Sequence, residues 1–208
     1  MVVNGWVIEH AEGRVMLDTG FGPHNEAALP PEYREQLRVL RRPVEEALAD
    51  IGLRPADIDV VVNCHLHADH ASGNIAFHGT PIYAQRPEFE AAQDPDYSVP
   101  EDLDLAEGDY RLVDGVAEVA PGIEVVPTPG HSPGHQALVV QTDDGTVIFA
   151  GQAFRGASEF AMALHARELE RMGFEPVPPY PAWLPELMGR DPWRVTFAHD
   201  TAIWQRDA

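Results

Sequence analysis

Short apolar runs separated by turn residues recur along the chain. The segments GWVIEH and RVMLDTG are typical of two strands joined by a tight turn, and the β-branched run IDVVVN suits a buried strand. ALVVQT and TVIFA flank the segment DDG, which is a hairpin signal. PIYAQ and RVTFAHD are predicted to form further strands. The pattern therefore predicts a protein rich in short strands.

Helical periodicity occurs between these strands. Residues 31–50 carry a helical pattern that Pro43 interrupts, so that a second helix is predicted to begin there. Further helices are expected from RPEFEAAQ and over residues 158–172. The acidic segment DPDYSVPEDLDLAEGD is predicted to be a loop, and EPVPPYPAWLPELMGRDP is too rich in proline for regular structure. This order predicts an α/β sandwich, with residues 1–208 as one domain.

The charge composition limits the kinds of molecule that the protein is expected to bind. The formal net charge is −20, from 34 acidic and 14 basic residues, and no lysine occurs. Such a surface repels nucleic acid and anionic membranes, because no basic patch neutralises phosphates. A small neutral or hydrophobic substrate is expected instead. The sequence has no signal-peptide pattern and only one cysteine, Cys64, which favours a cytoplasmic location.

The most informative segment is HLHADH, which follows the strand predicted for IDVVVN. In an extended segment, side chains two residues apart point to the same side, so His65 and His67 are predicted to bind one metal ion. Asp69 and His70 follow where the chain turns, and they are able to face a second ion. Imidazole and carboxylate are the ligands that zinc prefers. Cys64, by the same alternation, is expected to point away from the metals and to be buried.

Two further patches supply histidines. The turn PTPGHSPGH carries His131 and His135, and VTFAHD carries His199 just past a predicted strand. Each of these histidines taken alone is typical of an ordinary loop. Together with HLHADH, however, they favour a metal site.

These residues resemble the metallo-β-lactamase superfamily, whose signature is H-x-H-x-D-H followed by three distant ligands. The resemblance runs from VMLDTGFG through NCHLHADHASGN and PTPGHSPGH to FAHD, and is greatest to the N-acyl homoserine lactonases. It implies an αββα sandwich, in which two mixed sheets lie face to face with helices outside. It also implies metal-assisted hydrolysis, in which a metal-held hydroxide attacks a carbonyl.

The resemblance also implies a role for each residue. It assigns the first metal to His65, His67 and His131, and the second to Asp69, His70 and His199. Asp69 is the implied catalytic residue, because it also orients the attacking hydroxide. His135 is implied to support its loop, and Asp18 in LDTG to hold loop backbone or a ligand imidazole beneath the site. The implied cofactor is Zn²⁺, as one ion or two, with Mn²⁺, Fe²⁺ or Co²⁺ as alternatives.

The chain departs from the family pattern at two positions. Gln152 stands where relatives carry an aspartate that bridges both metals, and a neutral amide would bind only weakly there. The second ion is therefore expected to bind less tightly than in relatives. Arg155 stands where the lactonases tend to have a tyrosine that touches the substrate carbonyl. Tyr97, Tyr180 or a residue of another loop is a candidate to replace it.

The function that follows is hydrolysis of a lactone or an ester, with a small acyl molecule as the substrate. A thioesterase of the glyoxalase II kind is the alternative within the family, although it usually needs basic residues to hold glutathione. A β-lactamase has no positive support. A metal-binding pseudo-enzyme with a weakened second site, caused by Gln152, is the alternative from another class. A homodimer is compatible with the sequence, which leaves the oligomeric state open.

Overall fold

The computed structural model describes residues 2–22, 42–94, 96–97 and 100–206. These residues form two compact units, one of Gly5–Asp114 and the other of Met1–Asn4 with Gly115–Ala208. Each unit contains one sheet, with five strands in the first unit and six in the second. None of the helices in this part of the chain has the length and apolar character needed to cross a bilayer.

The sheet of the first unit has the strand order β1-β2-β3-β4-β5. Its strands are Trp6–His10 (β1), Gly13–Leu17 (β2), Val60–Val62 (β3), Ile82–Gln85 (β4) and Tyr110–Val113 (β5). The first two strands form an antiparallel hairpin, and β2 to β5 are parallel to their neighbours. The strands predicted from GWVIEH, RVMLDTG, IDVVVN and PIYAQ are therefore confirmed.

Short helices connect these strands. They are Val44–Ala49 (α1), Ala68–Ala71 (α2), Arg86–Ala91 (α3) and Pro100–Leu103 (α4). Helix α1 begins directly after Pro43, as predicted, whereas residues 31–41 of the earlier helical pattern lie outside the described residues. One face of the unit buries Leu48, Phe77 and Ile82 in a common apolar cluster. This packing ties α1 to the sheet.

The sheet of the second unit has the order β11-β10-β9-β8-β7-β6. Its strands are Ala117–Ala120 (β6), Ile123–Pro127 (β7), Gln136–Thr142 (β8), Gly145–Phe149 (β9), Pro192–Thr196 (β10) and Trp204–Gln205 (β11). All pairs are antiparallel except β9 with β10. The helices are Ala157–Arg171 (α5) and Leu184–Met188 (α6). Both helices contribute to an apolar cluster that includes Ile148, Phe160 and Phe197.

Two segments differ from the pattern-based expectation. The proline-rich stretch contains α6, because Leu184 and Leu187, three residues apart, both bury their side chains completely. Pro185 is tolerated there since it lies in the first turn, where its missing N–H has no helical partner in any case. The acidic segment expected to be a loop contains α4. Strands β5, β6 and β11 were not predicted, and their short, partly exposed sequences explain why.

Strand direction decides which loops lie together. In the first unit β2 and β3 are parallel, so their carboxyl ends share one edge of the sheet. In the second unit Pro127 pairs with Gln136, and Phe149 pairs with Thr196. The loop of residues 128–135 and the segments after β9 and β10 therefore share one edge of the second sheet. The candidate site residues lie in the segments at these edges, with Asp69 and His70 on the short helix α2.

Candidate metal centre

The ligand loop, residues 65–70, begins three residues after the end of β3. His65 Nε2 lies 2.9 Å from His67 Nδ1, and the two rings meet edge to face. The two nitrogens therefore face the same space, as the alternation in an extended segment predicts. Two nitrogens bound to one tetrahedral zinc ion at ~2.0–2.1 Å are separated by about 3.3 Å. The two nitrogens therefore have to separate only slightly for both of them to bind one ion.

Asp69 and His70 extend this cluster from helix α2. His70 Nε2 lies 3.4 Å from Asp69 Oδ2. His65, Asp69 and His70 each offer a ligand atom, and these atoms all lie within 4.8 Å of one another. Imidazole nitrogen and carboxylate oxygen suit zinc and similar borderline dications. The donor set of the loop therefore fits a divalent metal.

Asp18 fixes the proton position of His70. It follows β2 with a positive φ of 57°, and its buried carboxylate accepts a hydrogen bond from His70 Nδ1–H at 3.0 Å. Nε2 of a neutral ring then carries the lone pair that a metal needs. Burial by itself lowers the pKa of His70, but the hydrogen bond to Asp18 and the charge of that carboxylate outweigh burial and raise the pKa well above its ordinary value.

Cys64 lies behind the ligand rings. It is fully buried, as predicted, and its thiol donates to Asp18 Oδ2 at 3.0 Å. Its Sγ is 3.1 Å from His65 Nδ1, which is the ring nitrogen opposite the one that faces His67. Burial first, and the charge of Asp18 second, raise the pKa of the thiol to about 12. The residue is therefore a neutral thiol in a polar setting.

A buried polar network holds the backbone of His70, and sequence reasoning did not detect it. The His70 carbonyl accepts hydrogen bonds from the N–H groups of Thr19 and Gly20 at 2.7 and 3.1 Å. Thr19 Oγ1 donates to Asn74 Oδ1, and Asn74 Nδ2 donates to Asn63 Oδ1. A second hydrogen bond joins Asn74 Nδ2 to the Tyr110 hydroxyl. The network joins segments more than fifty residues apart.

In the second unit, both ring nitrogens of His135 form hydrogen bonds with neighbouring segments. Its Nε2 accepts the backbone N–H of Gln152 at 3.0 Å, so the proton of a neutral ring is on Nδ1. Nδ1–H then donates to Thr128 Oγ1 at 2.8 Å. His131 is exposed, and its ring centroid lies 6.2 Å from that of His135. The two histidines of PTPGHSPGH thus have different environments.

His199 follows β10 at the same edge of the second sheet as Gln152. Its Nδ1–H donates to the backbone carbonyl of Val2 at 2.8 Å, which leaves the lone pair of a neutral ring on Nε2. A backbone carbonyl is a usual partner for the second nitrogen of a metal-binding imidazole. The arrangement of His199 therefore fits a metal ligand.

The residues considered as replacements for the lactonase tyrosine have other partners. The Tyr97 hydroxyl donates to Glu88, and the Tyr180 hydroxyl donates to Glu170. Arg155 is exposed, and its backbone N–H donates to Glu159. None of these contacts supports a substrate role for the two tyrosines. Glu88, which is buried next to the ligand loop, was not singled out from the sequence.

Known proteins resemble this chain over most of its length. An N-acyl homoserine lactonase of Bacillus cereus is 37% identical over 151 residues, which are 69% of this chain and 60% of that protein. The chain thus spans about three fifths of the length of that relative. The N-acyl homoserine lactonase of Bacillus thuringiensis is 33% identical over 184 residues, 82% of this chain and 69% of that one.

A solved structure of an N-acyl homoserine lactone hydrolase, with N-hexanoyl-L-homoserine bound at its catalytic metal centre, matches with a TM-score of 0.72. The match covers 95% of this chain and 80% of that one at 28% identity. The two mixed sheets with their helices confirm the predicted metallo-β-lactamase fold. The model of the metallo-β-lactamase superfamily itself matches residues 1–205. On this evidence the chain belongs to the metallo-β-lactamase superfamily.

Proposed function

We propose that this protein is a metal-dependent hydrolase that opens a lactone, as its N-acyl homoserine lactonase relatives do. The observation that carries the proposal is the convergence of His65 Nε2 and His67 Nδ1, 2.9 Å apart, beside Asp69 and His70. A loop with only a structural role has no need for several imidazoles that face the same space, whereas a metal site requires them. The similarity to lactonases then selects the reaction class.

The proposed ligand set has two parts. His65, His67 and His131 hold the first ion, and Asp69, His70 and His199 hold the second, with Gln152 at the position of the family's bridging aspartate. The assignment of His131 and His199 rests on the family resemblance. A bound Zn²⁺ ion, our choice of metal, supplies Lewis acidity and lowers the pKa of water from 15.7 to about 7.

The residues of the chain have separate tasks in this proposal. The Asp69 carboxylate orients the attacking water through hydrogen bonding and accepts its proton. Asp18 keeps the proton of His70 on Nδ1 through the 3.0 Å hydrogen bond. The backbone N–H groups of Thr19 and Gly20 donate to the His70 carbonyl and so restrain the turn of α2. The loop thus presents its donors with little reorganisation.

The acidic composition supports an uncharged substrate. With a net charge of −20 and no lysine, the chain offers few groups for an anionic glutathione thioester. We therefore propose an N-acyl homoserine lactone or a similar small acyl lactone rather than a thioester. A cytoplasmic location is also proposed, because its single cysteine forms no internal disulfide.

The test combines metal analysis with a substrate panel. Protein purified without chelator is analysed for metal, then assayed with N-acyl homoserine lactones, simple lactones, aryl esters, a glutathione thioester and a chromogenic β-lactam. We expect lactone opening, loss of at least one metal equivalent in His67→Ala, and a fall in turnover of at least about a hundredfold in Asp69→Asn.

His165→Ala is the matched control, because this histidine is exposed on α5 and outside the cluster. It should retain the metal content and the turnover of the wild type. Turnover of the thioester without any lactone opening would replace the proposal by its glyoxalase II-like alternative. Metal binding without turnover of any substrate would favour the pseudo-enzyme.

A further inference from the structure

Glu88 is a buried carboxylate without a role in the proposed ligand set. It lies in the first turn of α3, and only 1% of its surface is exposed. Burying a carboxylate is costly unless hydrogen bonds compensate for the lost water. Oε1 of Glu88 accepts the backbone N–H of Leu66 at 2.8 Å and also the hydroxyl of Tyr97. Both donors connect it to the ligand loop.

The contact with Leu66 lies at the centre of that loop. Leu66 separates His65 from His67, and its N–H belongs to the peptide that follows His65. A charge-assisted hydrogen bond to this N–H is stronger than one to a neutral acceptor. The position of this peptide determines how far apart the two imidazoles stand. Glu88 therefore restrains the spacing of the nitrogen pair.

Tyr97 extends the same restraint to His67. Its ring centroid lies 4.6 Å from that of His67, with the planes tilted by 42°. Because its hydroxyl donates to Glu88, the tyrosine ring is fixed at both ends, by the carboxylate and by the imidazole. Glu88 thus supports the Leu66 backbone directly, and it supports the His67 ring indirectly through Tyr97.

We propose that Glu88 is a positioning residue, which together with Tyr97 holds His65 and His67 in the geometry that binds a metal ion. The inference rests on the proposed metal ligation by these two histidines. The Leu66 N–H and the Tyr97 hydroxyl both donate to Oε1, and the negative charge of a carboxylate strengthens both hydrogen bonds. A glutamine offers a neutral carbonyl and adds an N–H₂ group that has to find acceptors.

The test measures metal binding rather than hydrolysis. Metal-free wild type, Glu88→Gln and Tyr97→Phe are titrated with Zn²⁺ by calorimetry and with Co²⁺ by visible absorption. We expect Glu88→Gln to weaken the tighter ion by about 10–100-fold, the usual effect of losing a partner of the ligands, and to alter the Co²⁺ spectrum. Tyr97→Phe should shift both readouts in the same direction by less.

Glu90→Gln provides the matched control, since this glutamate is exposed on the same helix. It should bind both ions as the wild type does. Urea unfolding of each metal-free variant separates stability from positioning, because a merely structural Glu88 would lower the midpoint yet leave the affinity of the folded protein unchanged. Unchanged affinity and an unchanged Co²⁺ spectrum in Glu88→Gln would overturn the proposal.

If Glu88→Gln does not fold, Tyr97→Phe decides, and wild-type metal binding in that variant would overturn the proposal. The proposed function fails in a different way. A wild-type protein that binds metal but opens no lactone refutes the function and leaves the role of Glu88 intact.

Discussion

The role of each histidine depends on which ring nitrogen carries the proton. In His70 Nδ1–H donates a hydrogen bond to a carboxylate, and in His199 it donates to a backbone carbonyl. In a neutral ring, both arrangements leave on Nε2 the lone pair that a metal needs. In His135 both nitrogens are hydrogen-bonded to loop groups. The same side chain therefore serves binding or support, according to the group that faces its second nitrogen.

Cys64 is predicted to be unreactive in the folded protein. Its thiol is fully buried, and burial raises its pKa to about 12, so almost no thiolate is present at pH 8. Ellman's reagent should react with less than one thiol per chain over an hour in buffer. In 8 M urea the reaction should reach one thiol within minutes. Rapid stoichiometric reaction without urea would contradict both the burial and the raised pKa.

Gln152→Asp is predicted to tighten binding of the second ion. The substitution adds a negative charge where we propose that two dications bind, and opposite charges attract strongly even at an effective dielectric of about 20. Calorimetric titration of metal-free protein should show a stoichiometry closer to two ions per chain. Gln205→Asp, at an exposed position of strand β11, makes the same change in net charge and serves as the control. Equal affinities in the wild type and Gln152→Asp would mean that Gln152 does not face the metals.

At the scale of elements, strand direction gathers residues that are distant in the sequence. Because β2 and β3 run parallel, Asp18 lies beside Cys64 and His70 although about fifty residues separate them. The turn of α2 is then fixed by backbone hydrogen bonds from Thr19 and Gly20. The ligand loop is therefore held by neighbouring segments more than by its own short helix, which has only four residues.

Asn74→Ala is predicted to destabilise this arrangement. Asn74 is 1% exposed and shares hydrogen bonds with Thr19, Asn63 and Tyr110. Each buried partner left unsatisfied costs about 1–3 kcal/mol, so the loss of three partners should lower the free energy of unfolding by about 3 kcal/mol or more. Urea unfolding of metal-free protein measures this loss. The exposed Gln93→Ala is the control, and an equally small change in both variants would show that the network contributes nothing.

At the scale of the whole molecule, charge is the dominant feature. The net charge of −20 makes the folded chain repel itself, and added salt screens this repulsion. Salt also weakens attractive pairs such as Arg86 with Asp114 and Arg171 with Glu168, all of them exposed. Exposed pairs contribute only about 0–1 kcal/mol each, so the repulsion should prevail.

Stability is therefore predicted to rise with ionic strength. The screening length falls from about 30 Å at 0.01 M to about 3 Å at 1 M salt. Raising sodium chloride across this range should increase the urea midpoint. In thermal unfolding, a gain of about 1 kcal/mol in the free energy of unfolding corresponds to a rise of about 2–4 °C in Tm. Potassium chloride should act equally, which distinguishes screening from binding of a particular cation. A midpoint that falls with salt would show that attractive pairs prevail.

The sequence by itself determined the features that depend on near neighbours. Period-two alternation predicted that His65 and His67 face one space, and the DDG turn predicted the hairpin of β8 and β9. The motif HLHADH, with the family resemblance, predicted the superfamily and its fold. Local spacing suffices here because adjacent residues in an extended chain have few possible orientations.

Only the tertiary structure decided which groups support these residues. Nothing in the local pattern of EFEAA marks Glu88 as the partner of Leu66, twenty-two residues away, or joins Asn74 to Tyr110. Helix α6 likewise escaped prediction, because burial of Leu184 and Leu187 outweighs the prolines around them. Such contacts arise when strands and helices pack. Packing brings together side chains that are far apart in the sequence, and the sequence pattern does not indicate which of them will meet.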